Sequence, residues 1–282
     1  MSVRKEVPRV IAICSGKGGV GKTFFSVHLA EYAAKKGQRV LLLDADLGLA
    51  NVDVMLGISP KGSLLELVRG EKGLNDLIVP ARAGFDVLPG GSGLYELTAL
   101  DAEQQQVMMD EMRRISSDYD LVLIDAAAGI GDNVLYFVSA SESALVVLTP
   151  DPTSLTDAYA LIKVLSRQRN MRRFMVAVNQ AEVFDAQVAF KRLLSVADRY
   201  LDVHLDYVGN LPHSPDVREA VQGQKLLSAQ DAPVMRQTLD MVLANILARE
   251  RDLSRNGGLQ FFWEHSLNEG MNVDAEVQEK AA

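Results

Sequence analysis

This sequence has almost no cysteine, no long apolar run and no excess of basic charge. The single cysteine, Cys14, rules out an intramolecular disulfide and gives no sign of an oxidising compartment. Because no run of about 18 uninterrupted apolar residues occurs, we expect no membrane-spanning helix. The opening residues, MSVRKEVPRV, lack the apolar core of a secretory signal. Together these absences predict a cytoplasmic protein.

The balance of charge is acidic. The chain has 37 Asp and Glu residues against 29 Lys and Arg residues, which gives a net charge of −8. Such a surface is a poor overall match for DNA or anionic lipid, so either partner would have to meet a local basic patch. Hydrophobic residues at 48% and charged residues at 23% lie near the globular average, which excludes disordered, collagen-like and coiled-coil chains.

Short apolar runs alternate with segments of helical periodicity along most of the chain. The runs are rich in Val, Ile and Leu without polar alternation, which indicates strands buried on both faces of a parallel sheet. Repeated strand–helix alternation predicts a doubly wound α/β fold, in which a mostly parallel sheet is flanked by helices. Predicted strands cover 10–14, 39–44, 85–88, 121–125, 144–149, 174–178 and 207–209, and predicted helices cover 23–36, 102–116, 133–139, 154–167, 186–200 and 234–250.

The pattern of a compact domain weakens after the last predicted helix. We expect one domain over residues 1–252, followed by a hinge, an aromatic helix and a polar tail over 253–282. The hinge is predicted by the composition of SRNGG at 254–258. In a helix, the apolar residues of the next segment would share one face, which would suit a membrane interface, docking on the domain or a dimer contact. These residues are Leu259, Phe262, Trp263 and Leu267.

A phosphate-binding loop is the most informative motif. Residues 16–23 read GKGGVGKT and match G-x-x-x-x-G-K-[ST], directly after a predicted strand and before a predicted helix. Glycines let backbone N–H groups turn toward a phosphate, and the helix N-terminus adds a positive dipole. The pattern places Lys22 to reach the β- and γ-phosphates and the Thr23 hydroxyl to bind Mg²⁺. The candidate ATP-binding residues in this segment are Gly16, Lys17, Gly18, Gly19, Val20, Gly21, Lys22, Thr23 and Phe24.

Lys17 is a second lysine that a phosphate cradle within one chain does not need. With it, the loop resembles the deviant Walker A motif of the MinD/ParA family of ATPases. The resemblance implies a homodimer closed over two ATP molecules, in which Lys17 acts on the partner's phosphates. It also implies slow hydrolysis of ATP, stimulated by dimerisation or by a partner. A lysine that is merely solvated beside an anionic ligand is the alternative.

Carboxylates follow two of the predicted strands, at the end where open α/β sheets bind ligands. By the resemblance, Asp46 lies in a first switch loop, near Mg²⁺ and the attacking water. Asp125 ends the apolar run LVLID and would hold Thr23 or a water bound to Mg²⁺. Asp44 is interpreted as structural support or an outer contact of the metal. The implied catalytic residues are Lys17, Lys22 and Asp46, and the implied metal ligands are Thr23, Asp46 and Asp125.

Two later segments resemble the walls of the family's base-binding site. Asn179 follows the apolar run FMVAV, and its amide can complement the donor and acceptor atoms of the adenine edge. Pro212, in NLPHSPD, resembles the opposite wall, and a plain turn proline is an equal alternative.

Longer segments resemble one branch of the family, the flagellar-number regulators FlhG and FleN. They read LLLDADLGLANVDVMLG, IDAAAGIGDNVLYFVSAS and TPDPTSLTDAYALIKVL. The resemblance implies control of flagellar number or placement through a master transcription activator, and peripheral contact with the inner membrane or a cell pole. A flagellar GTPase is a second implied partner, but the stimulating DQA-x-x-LR segment of relatives has no counterpart in MSVRKEVPRV.

Other branches of the family serve as alternatives. The iron–sulfur members need paired cysteines, which this chain lacks. A MinD-like division-site ATPase and a DNA- or cargo-partition ATPase remain alternative functions. Direct DNA binding is not expected, because the sequence has no Lys/Arg-rich C-terminal patch.

Overall fold

The structure is a computed structural model, and it describes residues 8–46, 51–62, 66–67, 69–90, 107, 110–111, 114–115, 117–227 and 232–251. The predicted hinge, aromatic helix and polar tail lie outside these residues, as does most of the helix predicted over 102–116. Within the described part of the chain, strands and helices alternate as the apolar pattern predicts.

Eight strands in the described residues form one sheet, which is parallel except at one edge. The strands are β1 (Arg9–Ser15), β2 (Val40–Ala45), β3 (Val79–Pro80), β4 (Asp86–Leu88), β5 (Leu121–Ala128), β6 (Ser143–Leu148), β7 (Arg173–Val178) and β8 (His204–Asn210). The helices are α1 (Lys22–Lys35), α2 (Val52–Leu56), α3 (Leu74–Leu77), α4 (Asp132–Ala140), α5 (Pro152–Gln168), α6 (Val183–Tyr200), α7 (Pro215–Gln222) and α8 (Pro233–Leu247). The strand order is β3-β4-β2-β5-β1-β6-β7-β8, and β3 runs antiparallel to β4. The predicted doubly wound, mostly parallel α/β fold is confirmed.

β1 lies in the interior of the sheet, between β5 and β6. Val10 is in register with Val122 on one side, and Ala12 is in register with Ala144 on the other. From β1 the strand order extends outward to β3 in one direction and to β8 in the other. The loops that leave neighbouring strands therefore diverge at the carboxyl end of β1, and open α/β sheets bind ligands in such a crevice.

Buried side chains form a core on each face of the sheet. Along β1, Val10, Ala12 and Cys14 belong to one buried cluster, and Ile11 and Ile13 belong to the other. All residues of β1 are buried, which explains why its sequence shows no polar alternation. None of the described helices combines the length and the apolar character that crossing a membrane requires.

The largest difference from the predicted elements is α7, which lies in a segment where no helix was predicted. None of its residues is fully buried, but Val217, Ala220 and Val221 have the spacing of one helix face, a signal that the prediction missed. The start of the helix is fixed by the Ser214 hydroxyl, which accepts the N–H of Asp216 at 3.2 Å, and by Pro215 in the first turn. The elements β3, α2 and α3 are too short for periodicity to show, and β8 begins at His204 where 207 is predicted.

Candidate nucleotide-binding site

The glycine-rich loop, residues 16–21, connects β1 to α1 at the crevice described above. Gly21 has a φ of +95°, and a Cβ there would stand 2.3 Å from Nδ2 of Asn179. A Cβ on Gly16 would stand 2.1 Å from the carbonyl oxygen of Asp157 in α5. Both positions therefore require glycine, because the neighbouring atoms leave no room for a side chain. The loop therefore packs closely against α5 at Gly16 and against Asn179, the residue after β7, at Gly21.

Lys22, at the start of α1, is buried beneath the loop. Its Nζ donates a hydrogen bond to Oγ of Ser15 at 2.9 Å, its one hydrogen-bond partner among the described residues. Burial lowers the pKa of Lys22, and the carboxylate of Asp125 opposes that effect. Since an ammonium has three N–H donors, two remain for the oxygens of a phosphate. The donor set therefore fits the role that the motif predicts.

Asp125 lies within β5, three residues before the strand ends, and connects that strand to α1. Its carboxylate accepts hydrogen bonds from the Thr23 hydroxyl and from Oγ of Ser26, the latter at 2.9 Å. Burial raises the pKa of Asp125 to about 7, although these hydrogen bonds and the Lys22 ammonium oppose the rise. Asp44 lies opposite in register on β2, and its charge raises the pKa further. Two buried carboxylates side by side favour an added cation, because it would offset their repulsion.

Asp44 anchors the loop that follows β2. Its carboxylate accepts the backbone N–H of Asp46 at 3.0 Å and those of Asn51 and Val52 at 3.2 Å each. Burial raises the pKa of Asp44 to about 6, against the effect of these three hydrogen bonds. The carboxylate thus holds both sides of residues 47–50, which lie outside the described residues. Its geometry is that of structural support.

Asp46 lies at the rim of the same group of oxygens. It is half-buried, and its charge raises the pKa of Lys22. Among the described residues, no three Asp, Glu, His or Cys side chains form a ready-made metal cage. Mg²⁺ ordinarily combines one or two protein oxygens with phosphate oxygens and water. The oxygens of Thr23, Asp46 and Asp125 suit such a site.

Asn179 lies against the phosphate loop. Its Nδ2 donates to the carbonyl of Val20 at 2.8 Å, and its Oδ1 accepts the next backbone N–H at 2.9 Å. The amide has a second N–H and a second lone pair, so adenine recognition stays a prediction beside this loop-holding contact. The half-buried Pro212 follows β8 in a loop that is hydrogen-bonded to the Asn179 loop, from Ala181 N to the Leu211 carbonyl at 3.1 Å.

The remaining candidates of the loop differ in exposure. Gly18 and Gly19 are exposed, and a Cβ on Gly19 would meet nothing within 4 Å. Phe24 is buried, and its ring centroid lies 4.1 Å from that of His28, so its side chain belongs to the core. The aromatic candidates for membrane contact lie outside the described residues; they are Leu259, Phe262, Trp263 and Leu267.

Lys17 points away from Lys22, toward the first turn of α5. Its Nζ donates to Oγ1 of Thr153 at 2.7 Å and lies 3.2 Å from Oδ1 of Asp151. Sequence reasoning missed both acceptors. The signal present was Asp151 followed by Pro152, a helix N-cap and a proline in the first turn. That signal predicts where α5 begins, but it does not predict that the first turn of α5 binds Lys17.

Comparisons with known proteins place this geometry among ATPases. Residues 8–176 match a family model described as an AAA domain. The antiactivator FleN of Pseudomonas aeruginosa is 46% identical over 77% of this chain and 78% of FleN. The flagellum site-determining protein YlxH of Helicobacter pylori is 35% identical over 86% of this chain and 82% of YlxH. A chain of the MinC:MinD cell division protein complex of Aquifex aeolicus has a TM-score of 0.66 and 27% identity, over 86% of this chain and 97% of that one.

Proposed function

The chain belongs to the AAA-domain family of P-loop ATPases, among its MinD- and FleN-like members, and on that premise we propose that it is an ATP-driven dimerising switch that controls flagellar number or placement. In this proposal the monomer binds ATP, two monomers close over two nucleotides, and hydrolysis to ADP and phosphate returns the monomer. The observation that carries the proposal is a phosphate loop with two lysines in separate environments, one buried and one directed outward. The similarity to FleN and YlxH supports the flagellar role.

The buried side of the loop suits the binding of ATP with Mg²⁺. When bound, they supply the phosphoryl group and the cation that neutralises its oxygens. Lys22 would direct toward the phosphates the two N–H donors that are not bonded to Ser15. The Thr23 hydroxyl would meet the metal, and Asp125 would hold that hydroxyl in place through the hydrogen bond already present. Asp46 would orient the attacking water at the rim, because its backbone is fixed by Asp44.

Hydrolysis in this proposal depends on the second protomer. Lys17 would approach the phosphates bound by the partner and stabilise the charge that develops during phosphoryl transfer. The turnover of an isolated monomer is therefore expected to be slow, and dimerisation or a partner protein would stimulate it. Within one chain, the Lys17 ammonium contacts the first turn of α5 and not the phosphate side of its own loop. It would therefore meet phosphates only across the dimer.

The downstream partner is proposed to be a master transcription activator of flagellar genes. A flagellar GTPase is a second proposed partner. Residues 1–252 would form the ATPase domain, and the aromatic helix proposed within 253–282 would give peripheral contact with the inner membrane. That contact would depend on apolar side chains, since the chain as a whole carries a net charge of −8. Direct binding to DNA is not part of the proposal.

The proposal is tested with the variant Asp46→Ala. Removal of the water-orienting carboxylate should leave ATP binding intact and slow turnover by about 100-fold, so that the ATP-bound dimer accumulates. Phosphate release and light scattering measure the two effects. A variant with unchanged turnover would remove Asp46 from the catalytic residues.

The same variant identifies the partner class. Immobilised Asp46→Ala protein with ATP should retain a flagellar transcription activator, and the Lys22→Gln variant should not. A division-site ATPase is the second candidate, favoured by the similarity to MinD. Retention of a division inhibitor in place of the activator would support that candidate and refute the flagellar assignment.

A further inference from the structure

Lys17 is bound within its own chain by the first turn of α5. Its Nζ contacts Oγ1 of Thr153 and Oδ1 of Asp151, whose carboxylate caps the helix by accepting the N–H of Ser154 at 3.0 Å. The proposed function requires the same ammonium to reach phosphates bound by a second protomer. One ammonium cannot occupy both positions at once, so the contact on α5 competes with the contact across the dimer.

The acceptor on α5 is organised before Lys17 reaches it. Besides capping Ser154, the Asp151 carboxylate accepts hydrogen bonds from the hydroxyl of Thr149 and from Oγ1 of Thr153, the latter at 2.5 Å. These hydrogen bonds hold the pKa of Asp151 well below its usual range, so the group is an anion at neutral pH. Because Thr153 donates to Asp151, its oxygen is left to accept from Lys17. Both acceptor atoms are therefore fixed by their own helix turn.

A hydrogen-bond chain connects this contact to the phosphate-binding lysine. Oγ of Ser15 accepts from Nζ of Lys22 at 2.9 Å and donates to the carbonyl of Lys17 at 2.6 Å. The carbonyl of Ser15 accepts the N–H of Gly129, the first residue after β5, at 2.9 Å. Because Lys22 has two further N–H donors, it can bind a phosphate while it keeps its hydrogen bond to Ser15. The backbone of Lys17 is therefore connected through Ser15 to the lysine that meets the nucleotide.

We propose that Asp151 and Thr153 are positioning residues that retain Lys17 in cis, and that dimerisation transfers Lys17 from them to the nucleotide of the partner. This inference rests on the proposed function, because it assigns a starting position to the lysine that acts in trans. The contact is partly exposed, with 42% and 43% of the side chains of Lys17 and Asp151 accessible. Its removal should therefore strengthen the dimer modestly, by about two- to five-fold.

The test compares two variants that keep the helix intact. Asp151→Asn retains an N-cap acceptor of similar strength but removes the charge. Thr153→Val keeps the shape of the side chain and removes the hydroxyl. Matched controls are Asp185→Asn, which removes a carboxylate from the first turn of α6, and Thr156→Val, whose hydroxyl bonds to the Pro152 carbonyl one turn along α5. Sedimentation measures the dimer dissociation constant of each with Mg²⁺ and a non-hydrolysable ATP analogue.

The expected result is a dissociation constant two- to five-fold lower for both test variants and unchanged for both controls. The gap between wild type and Asp151→Asn should narrow as salt rises from about 0.05 to 0.5 M, because salt screens the partly exposed ion pair. Test variants that dimerise like wild type, or more weakly, would overturn the inference. The wild-type protein is measured first, with Mg²⁺ and the ATP analogue. If it stays monomeric, the proposed function is refuted, whatever the variants do.

Discussion

The two lysines of the phosphate loop lie close in sequence but in opposite surroundings. Lys22 is buried, has its pKa lowered by burial and is attracted by Asp125, so it remains within its own protomer. Lys17 is partly exposed and rests on a surface acceptor that it can leave. One short loop can therefore serve two protomers, because the surroundings of each lysine direct it to one of them.

The largest expected effect is that of Lys17→Ala on turnover. Loss of a cation that acts on transferring phosphate across an interface should lower ATP hydrolysis by about 1,000-fold. The affinity of the monomer for ATP should change by less than about three-fold, because the contact on α5 is a partly exposed ion pair. Phosphate release and calorimetric titration measure the two quantities. A large loss of ATP affinity would place Lys17 on its own protomer's nucleotide.

Lys22→Gln should give the reverse pattern. Removal of a buried ammonium that binds phosphate should weaken ATP binding on the order of 100-fold or more, and ATP-induced dimerisation should disappear with it. Lys36→Gln is the matched control, since Lys36 pairs with Asp240 on the surface at 2.9 Å. Should Lys22→Gln bind ATP as the control does, the buried lysine would have no role in phosphate binding.

Substitutions at Gly21 and Gly19 distinguish the effect of a steric clash from the effect of a positive φ. Gly21→Ala should destabilise the fold by about 2–3 kcal/mol, because it combines a φ of +95° with a Cβ 2.3 Å from Asn179. Gly19→Ala has a φ of +76° but meets nothing within 4 Å, so its cost should be about 1 kcal/mol. Urea unfolding of both variants measures the difference. Equal losses of unfolding free energy in the two variants would show that the loop does not pack closely against Asn179.

The stability of the nucleotide-free protein should also depend on pH. Burial raises the pKa of Asp125 to about 7, above its value in the unfolded chain, so the folded state holds the proton more tightly. This contribution to stability is therefore present at about pH 4 and is lost as pH rises through about 7. Asp125→Asn should flatten the change in unfolding free energy between those limits. A slope that the variant leaves unaltered would assign it to other groups.

The features that could be predicted from sequence are those with local signals. Apolar runs without polar alternation predict the buried strands, and GKGGVGKT between a strand and a helix predicts the phosphate loop. Asp125 could be placed because it ends such a run. The contacts of Lys17 with Thr153 and of Asn179 with Val20 could not be predicted, since each joins residues more than a hundred positions apart. Helix α7 was missed although Val217, Ala220 and Val221 have helical spacing, because a pattern of three apolar residues over eight positions is short.

ATP-dependent dimerisation is tested most directly by the mass of the Asp46→Ala protein in sedimentation equilibrium, with and without ATP and Mg²⁺. The chain has a mass of 30.8 kDa. A dimerising switch should have one chain mass without nucleotide and twice that mass with saturating ATP, and adding Lys17→Ala should restore the single mass. A protein that stays at one chain mass with ATP bound, or a dimer that persists without Lys17, would contradict this expectation.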